Sequence, residues 1–174
     1  MIYLATDHRG FELKEKIKAW LSEWGYDFYD FGAFEYDQED DYPDFIHKAA
    51  QKVSESPEQN KAIILGGSGQ GEAMVANRYK GVRAAVLYGP SLKLEGFRTW
   101  LLALGGGGGV ADKVYNEKLA ELVKLSREHN NANVLSLGTS FLSERAAKYF
   151  IKLWLDTPFS GDERHVRRIR KIDL

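Results

Sequence analysis

The run Ala62-Ile63-Ile64-Leu65-Gly66-Gly67-Ser68-Gly69-Gln70-Gly71-Glu72 leads without a break into Ala73-Met74-Val75-Ala76-Asn77. An apolar segment of strand length, a turn rich in glycine and a helix-forming stretch make a strand–loop–helix unit. The glycines remove side chains and admit positive φ, so several main-chain N–H groups can converge near the positive end of the following helix. Such a loop either cradles an anionic oxygen or serves only as a tight turn. It does not fit a dinucleotide fingerprint, because the glycines run G-x-G-x-G and the next strand ends in Tyr88-Gly89-Pro90 rather than in an acid. Nor is it a Walker loop, which needs Gly-Lys-Ser/Thr where this chain has Gly71-Glu72-Ala73. The segment ends in a carboxylate, so one stretch offers both an oxyanion cradle and a candidate base, Glu72.

Outward from this unit, apolar runs of strand length alternate with segments of helical period. That pattern predicts an α/β fold: one Rossmann-like domain over residues 1–174, a three-layer α/β/α sandwich with a five-stranded parallel sheet. Strands are expected near 2–6, 26–31, 61–66, 82–88 and 133–138. The first helix should bury Leu13, Ile17, Trp20, Leu21 and Trp24 and turn Glu12, Lys14, Glu15, Lys16 and Lys18 to water. Pro43 suits the opening turn of a helix carrying Phe45, Ile46, Ala49, Ala50 and Val53. Ser143 should cap a last long helix that buries Ala147, Phe150, Ile151, Trp154 and Leu155.

In such a sheet, ligands collect outside the carboxyl ends of the strands, where loops and helix N-termini converge. Asp7-His8-Arg9-Gly10 follows the first strand, Asp41-Tyr42-Pro43 closes the loop after the second, and the glycine loop follows the third. Each alone reads as a helix cap or surface turn, Asp7 first of all as a cap; three at one edge point to a site. The five acids between Glu35 and Asp41 read as a solvated charge run, with a hard-cation site as the weaker alternative.

Composition narrows the function classes. A chain of 174 residues with 44% hydrophobic content supports one well-buried core. A net charge of −1, with no basic block before the last dozen residues, argues against a nucleic-acid surface. Zero cysteines exclude disulfides, thiolate zinc sites and a cysteine nucleophile. The N-terminal apolar run is too short for a membrane span or signal peptide, which leaves a cytoplasmic location as the expectation. The segment from Gly89 to Asn116, with five glycines at 105–109, is expected to be a lid, an interface arm or a mobile loop.

Six ordered motifs resemble the ribose-5-phosphate isomerase B family, which includes galactose-6-phosphate and allose-6-phosphate isomerases. They are Asp7-His8-x-Gly10 with Glu12-Leu13-Lys14; Asp41-Tyr42-Pro43-Asp44; the glycine loop with Ala76-Asn77; Gly81-Val82-Arg83-Ala84-Ala85; His129-Asn130-x-Ala132-Asn133-Val134; and Arg164-His165-x-x-Arg168. Residues 89–116 lie outside the pattern as an insertion. Many members carry a cysteine base just before the glycine loop, where this chain has Gly66; a second branch uses the glutamate of Gly-Ser-Gly-x-Gly-Glu, and Glu72 stands there.

The resemblance implies an aldose–ketose isomerase that interconverts ribose 5-phosphate and ribulose 5-phosphate through an enediolate. Glu72, its pKa raised by burial, would move the proton; Ser68 and the amides of Gly67, Gly69 and Gly71 would hold the oxyanion, such donors contributing on the order of 3 kcal/mol each. It implies that Asp7, His8 and Tyr42 bind the sugar, His129 assists ring opening, Asn130 contacts the intermediate, and Arg164 and Arg168, four apart on a helical turn, meet the phosphate beside His165. Without the pattern, His129 reads as a helix-end histidine and the arginines as a solvated tail. No metal and no cofactor are implied; a homodimer with active sites at the subunit interface is. Some relatives place a phosphate-binding arginine where this chain has Ser140, and Arg9 is a candidate replacement for that charge. Two rival readings are the same chemistry on a six-carbon or deoxy sugar phosphate, and a non-catalytic sugar-phosphate-binding protein.

Overall fold

Five parallel strands, β1 (Ile2–Thr6), β2 (Phe28–Asp30), β3 (Lys61–Gly66), β4 (Ala84–Leu87) and β5 (Val134–Gly138), form one sheet in the order β2-β1-β3-β5-β4. The computed structural model describes residues 1–89 and 108–172, with side chains at 108–115 left undescribed. The register pairs Leu4 with Ile63, Thr6 with Leu65, and Gly66 with Gly138, so β1, β3 and β5 end level with one another. Both outer strands are shorter than their apolar runs: β2 and β4 each have a single neighbour, so pairing stops where that neighbour turns away.

Helices cover both faces, which is why the central strands are apolar on both sides. On one face, α1 (Phe11–Glu23), α4 (Gly108–Glu128) and α5 (Glu144–Asp156) bury Ile17, Leu21, Val123, Phe150 and Trp154 against Leu4, Ile63, Leu65 and Leu135. On the other, α2 (Pro43–Glu55) and α3 (Gln70–Ala76) bury Ile46, Ala50, Val53 and Ala76 against Ala5, Ile64 and Val134. Pro43 opens α2, and the Ser143 hydroxyl accepts the Ala146 N–H at 3.3 Å to cap α5, both as the sequence predicts. A short helix, α6 (Glu163–Ile169), ends the described chain. Among the described residues no helix is long and apolar enough to cross a membrane.

Lys14 departs from expectation. It is fully buried, because spacing 14, 17, 21 lays its aliphatic stem along the inward stripe of α1 with Ile17 and Leu21. Its ammonium then meets the Asp30 carboxylate at the end of β2 and Glu15 at 3.2 Å. Asp30 in turn accepts the Gly32 N–H at 2.9 Å, and Thr6 joins the same turn, its N–H donating to the Gly32 carbonyl at 2.8 Å and its carbonyl accepting the Ala33 N–H at 2.7 Å. This pair fixes the base of the loop that carries residues 33–42 past the end of β1.

Part of the segment expected as an insertion, 89–116, belongs to a helix. Residues 108–116 are the first turns of α4, continuous with the core helix. Of the lid, interface arm or mobile loop expected over 89–116, residues 90–107 lie outside the described residues.

Candidate active site

The chain leaves β1 toward β2 on one side and β3 toward β4 on the other, so the crevice between the carboxyl ends of β1 and β3 is the switch point where open α/β sheets bind ligands. The glycine loop rises from β3 there. Gly69 caps α3 with φ of 72°, a conformation that a residue bearing Cβ adopts only with strain. The loop is held from below: the buried Ser136 hydroxyl donates to the Gly69 carbonyl at 2.6 Å, and Thr139 donates to the carbonyls of Gly66 at 3.0 Å and Arg9 at 3.1 Å.

In the first turn of α3, Glu72 is buried, and its side chain folds back over Gly66 so closely that a Cβ on residue 66 would overlap the carboxyl group. A side chain at position 66 and this position of the Glu72 carboxylate exclude one another. Glycine at 66 is therefore what lets the glutamate occupy the end of β3. Burial pushes the Glu72 pKa above its ordinary value, its own main-chain N–H opposes the rise, and the Asp7 carboxylate adds to it.

Asp7, His8, Arg9 and Tyr42 come to the same edge. Asp7 is buried and accepts the Arg9 N–H at 2.9 Å, forming a turn; the helix cap itself is Gly10. Burial raises its pKa, against the Arg9 N–H and the His8 ring, with nearby Asp40 raising it further. The Tyr42 hydroxyl lies so close to the loop that a Cβ on Gly71 would stand 2.7 Å from it. Arg9 and Ser140 both lie against Gly67, whose missing Cβ would be 3.7 Å from the Arg9 side chain and 3.9 Å from Ser140 Oγ; a groove lined by Arg9, Lys16, Thr139 and Ser140 opens beside them. The Ser68 hydroxyl is exposed and accepts the Gln70 N–H at 3.2 Å.

The remaining predicted residues gather elsewhere. His129 directly follows α4, in the turn that enters β5 at its amino end, where the Ala62 N–H donates to the Asn133 carbonyl. Asn131, at φ of 45°, and buried Arg127 shape that turn; Arg127 donates to the Ala132 carbonyl at 2.6 Å and to Asn131 at 2.9 Å. The His165 ring of α6 lies 4.2 Å from that of His129, and the Ser160 N–H bonds the Glu128 carbonyl at 3.2 Å. His165 is buried, its Nδ1 3.0 Å from Ser160 Oγ, and burial followed by the neighbouring His129 and Arg164 lowers its pKa. Arg164 and Arg168 are exposed on α6, and Asn130 is exposed beside His129. Two clusters thus face opposite edges of the sheet, with the five residues of β5, roughly 15 Å, between them.

Sequence reading missed Asp40. It belongs to the acidic run expected to be solvated, yet its side chain is only 10% exposed and pairs with His8 Nδ1 at 2.6 Å. Its only sequence signal is its place just before Asp41-Tyr42-Pro43; a charge run carries no periodicity that would single it out. Ligand atoms of Asp7, His8 and Asp40 lie within 4.8 Å of one another, but His8 Nδ1 is committed to Asp40, which leaves that nitrogen no lone pair for a cation.

Comparison with known proteins agrees with this architecture. The model of a family described as Ribose/Galactose Isomerase matches residues 2–92 and 111–172. Ribose-5-phosphate isomerase B of Mycolicibacterium paratuberculosis is 34% identical over 97% of this chain and 86% of its own. The crystal structure of the Mycoplasma genitalium ribose-5-phosphate isomerase B with bound ribulose 5-phosphate superposes with a TM-score of 0.78 at 31% identity, covering 98% of this chain and 92% of that one. The Thermotoga maritima ribose 5-phosphate isomerase gives 0.75 at 35% identity, covering 99% and 96%. With the family matched on both sides of residues 93–110 and the fold shared along the chain, this protein belongs to the ribose/galactose isomerase family.

Proposed function

We propose that this chain is an aldose–ketose isomerase that interconverts ribose 5-phosphate and ribulose 5-phosphate, with Glu72 shuttling a proton between C2 and C1. The observation that carries this reading is the Glu72 carboxyl group, buried at the switch point against Gly66 with a raised pKa. A base of raised pKa is suited to a carbon acid, since its conjugate acid can return the proton. The Ser68 hydroxyl and loop amides stabilise the enediolate oxygens, and Asp7, His8 and Tyr42 hold the sugar hydroxyls. The bound ribulose 5-phosphate of the Mycoplasma relative supports a five-carbon substrate. Side-by-side kcat/KM for pentose and hexose phosphates, with exchange of the C2 proton into deuterated solvent, tests this. Preference for pentose with exchange is expected; preference for a hexose or deoxy sugar moves the substrate, and binding without exchange makes the chain a sensor.

We infer further that the working unit is a cytoplasmic homodimer. The second cluster supplies His129 for ring opening, Asn130 for the intermediate, and Arg164 and Arg168 for the phosphate, with His165 orienting His129 from beneath. Since that cluster lies at the far edge of its own sheet, it serves the Glu72 site of a second copy.

Gly66→Ala should keep the fold, because Gly66 ends a regular strand with φ in the ordinary range, yet displace the Glu72 carboxylate. A displacement of about 1 Å costs roughly a hundredfold, so kcat should fall by that order with an unchanged circular dichroism spectrum; kcat within twofold of the parent would show that Glu72 adapts. Arg9→Ala should raise KM for ribose 5-phosphate about tenfold, the usual effect of losing one charge-assisted hydrogen bond, with kcat little changed. An unchanged KM would remove Arg9 from the phosphate site.

A further inference from the structure

We infer that Asp40 is a positioning residue, which locks the His8 ring in the tautomer and orientation that present its Nε2 to the sugar phosphate. The inference rests on the isomerase reading for the identity of the ligand, and on the following geometry for the rest.

Asp40 Oδ1 accepts two hydrogens from one residue, the main-chain N–H of His8 at 3.0 Å and its ring Nδ1–H at 2.6 Å. The two residues lie 32 positions apart on different loops, one after β1 and one after β2. Asp40 holds this place at a cost. Its carboxylate is nine-tenths buried beside that of Asp7, which it disfavours, and its Oδ2 is buried with no hydrogen-bond partner among the described residues. A carboxylate kept there against repulsion and desolvation needs a compensating role, and what it contacts is His8. A free neutral imidazole favours the proton on Nε2; a carboxylate on Nδ1 reverses that choice, as in the histidine–carboxylate pairs of hydrolases. With Nδ1 spent and the main chain pinned by the same oxygen, the unspent nitrogen of His8 is Nε2. The ring is half-buried, and the edge-on Tyr36 ring, 6.1 Å away, flanks it. Lys14 supports the arrangement at a distance by holding Asp30 at the root of the loop that delivers Asp40.

The test combines kinetics with ¹⁵N NMR of the imidazoles, His8 being assigned from the His8→Ala spectrum. In the parent at neutral to mildly alkaline pH, the His8 signals should report the Nδ1–H tautomer. Asp40→Ala should convert them to the Nε2–H form and raise KM about tenfold or more, with kcat within threefold. Asp40→Asn keeps an oxygen acceptor and should restore both the tautomer and most of the affinity, a rescue that loss of fold could not produce. In a His8→Ala background, Asp40→Ala should add nothing to KM. An Nε2–H tautomer in the parent, a KM within twofold in Asp40→Ala, or additive losses in the double variant would overturn the role. If the parent turns over no sugar phosphate, the isomerase reading fails, and the tautomer readout still decides whether Asp40 sets the His8 ring.

Discussion

Replacing Glu72 by glutamine should lower kcat by about 10³-fold or more, at the upper end of what a positioned base contributes, and abolish exchange of the C2 proton with solvent. Glutamine preserves the shape that fills the space above Gly66, so circular dichroism should not change. The variant should also be more stable than the parent, and the sign follows from the pKa. Folding raises the Glu72 pKa above its unfolded value, so the folded state favours the protonated acid. Below the ordinary glutamate value of 4.5 the buried acid is neutral in both states and no penalty exists. As pH climbs through 4.5 toward the folded pKa, the unfolded chain releases the proton more readily, and the parent loses stability relative to the glutamine variant. The difference in Tm should therefore be near zero at pH 4, grow with pH, and level off above the folded pKa. The same shift should place the acidic limb of the parent's kcat/KM profile above 4.5, and Asp7→Asn should move that limb down by removing the charge that raises Glu72. Turnover by Glu72→Gln within tenfold of the parent would take the base assignment away from this residue. A Tm gain independent of pH would mean that folding leaves the Glu72 pKa at its unfolded value.

Much of this site was legible in the chain because its parts are local. A strand, a glycine loop and a carboxylate six residues past Gly66 leave Glu72 little freedom in where to sit, and the location rule for parallel sheets gathers Asp7, Tyr42 and the loop at one edge. What sequence did not disclose depends on contacts between distant segments. Lys14 satisfies an exposed pattern by its charge and a buried one by its stem; only the arrival of Asp30 decides between them. Asp40 looks like its neighbours Glu39 and Asp41 until the loop after β2 is folded over His8. The outer strands ended early because hydrophobicity does not tell which runs have one neighbour instead of two. His129 was legible as a residue type at the end of a helix, but its position at the amino edge of β5 follows from topology. That position places it on the wrong side of its own sheet to meet Glu72.

This separation makes the strongest demand on the quaternary structure. Glu72→Gln and His129→Ala should each be nearly inactive, yet chains carrying one lesion each, co-expressed with different tags in equal amounts, should regain about a quarter of parental activity. Random pairing puts half the chains' dimers in the mixed form under two-fold symmetry. In each mixed dimer, one site receives the Glu72 loop of one chain and the His129 turn of the other, both intact, while the second site receives both lesions. Half the dimers with one of two sites working gives a quarter. A pairing of Glu72→Gln with Ser68→Ala supplies the control: both lesions lie in the glycine-loop cluster, every mixed site inherits one of them, and no recovery should appear. Rebuilding of a site within one chain cannot account for recovery confined to the first pairing, because neither parent holds both intact residues. If the first mixture stays at the sum of its parents, the two clusters do not meet across subunits, and ring opening must be sought among the residues at the carboxyl edge, with His8 the first to test.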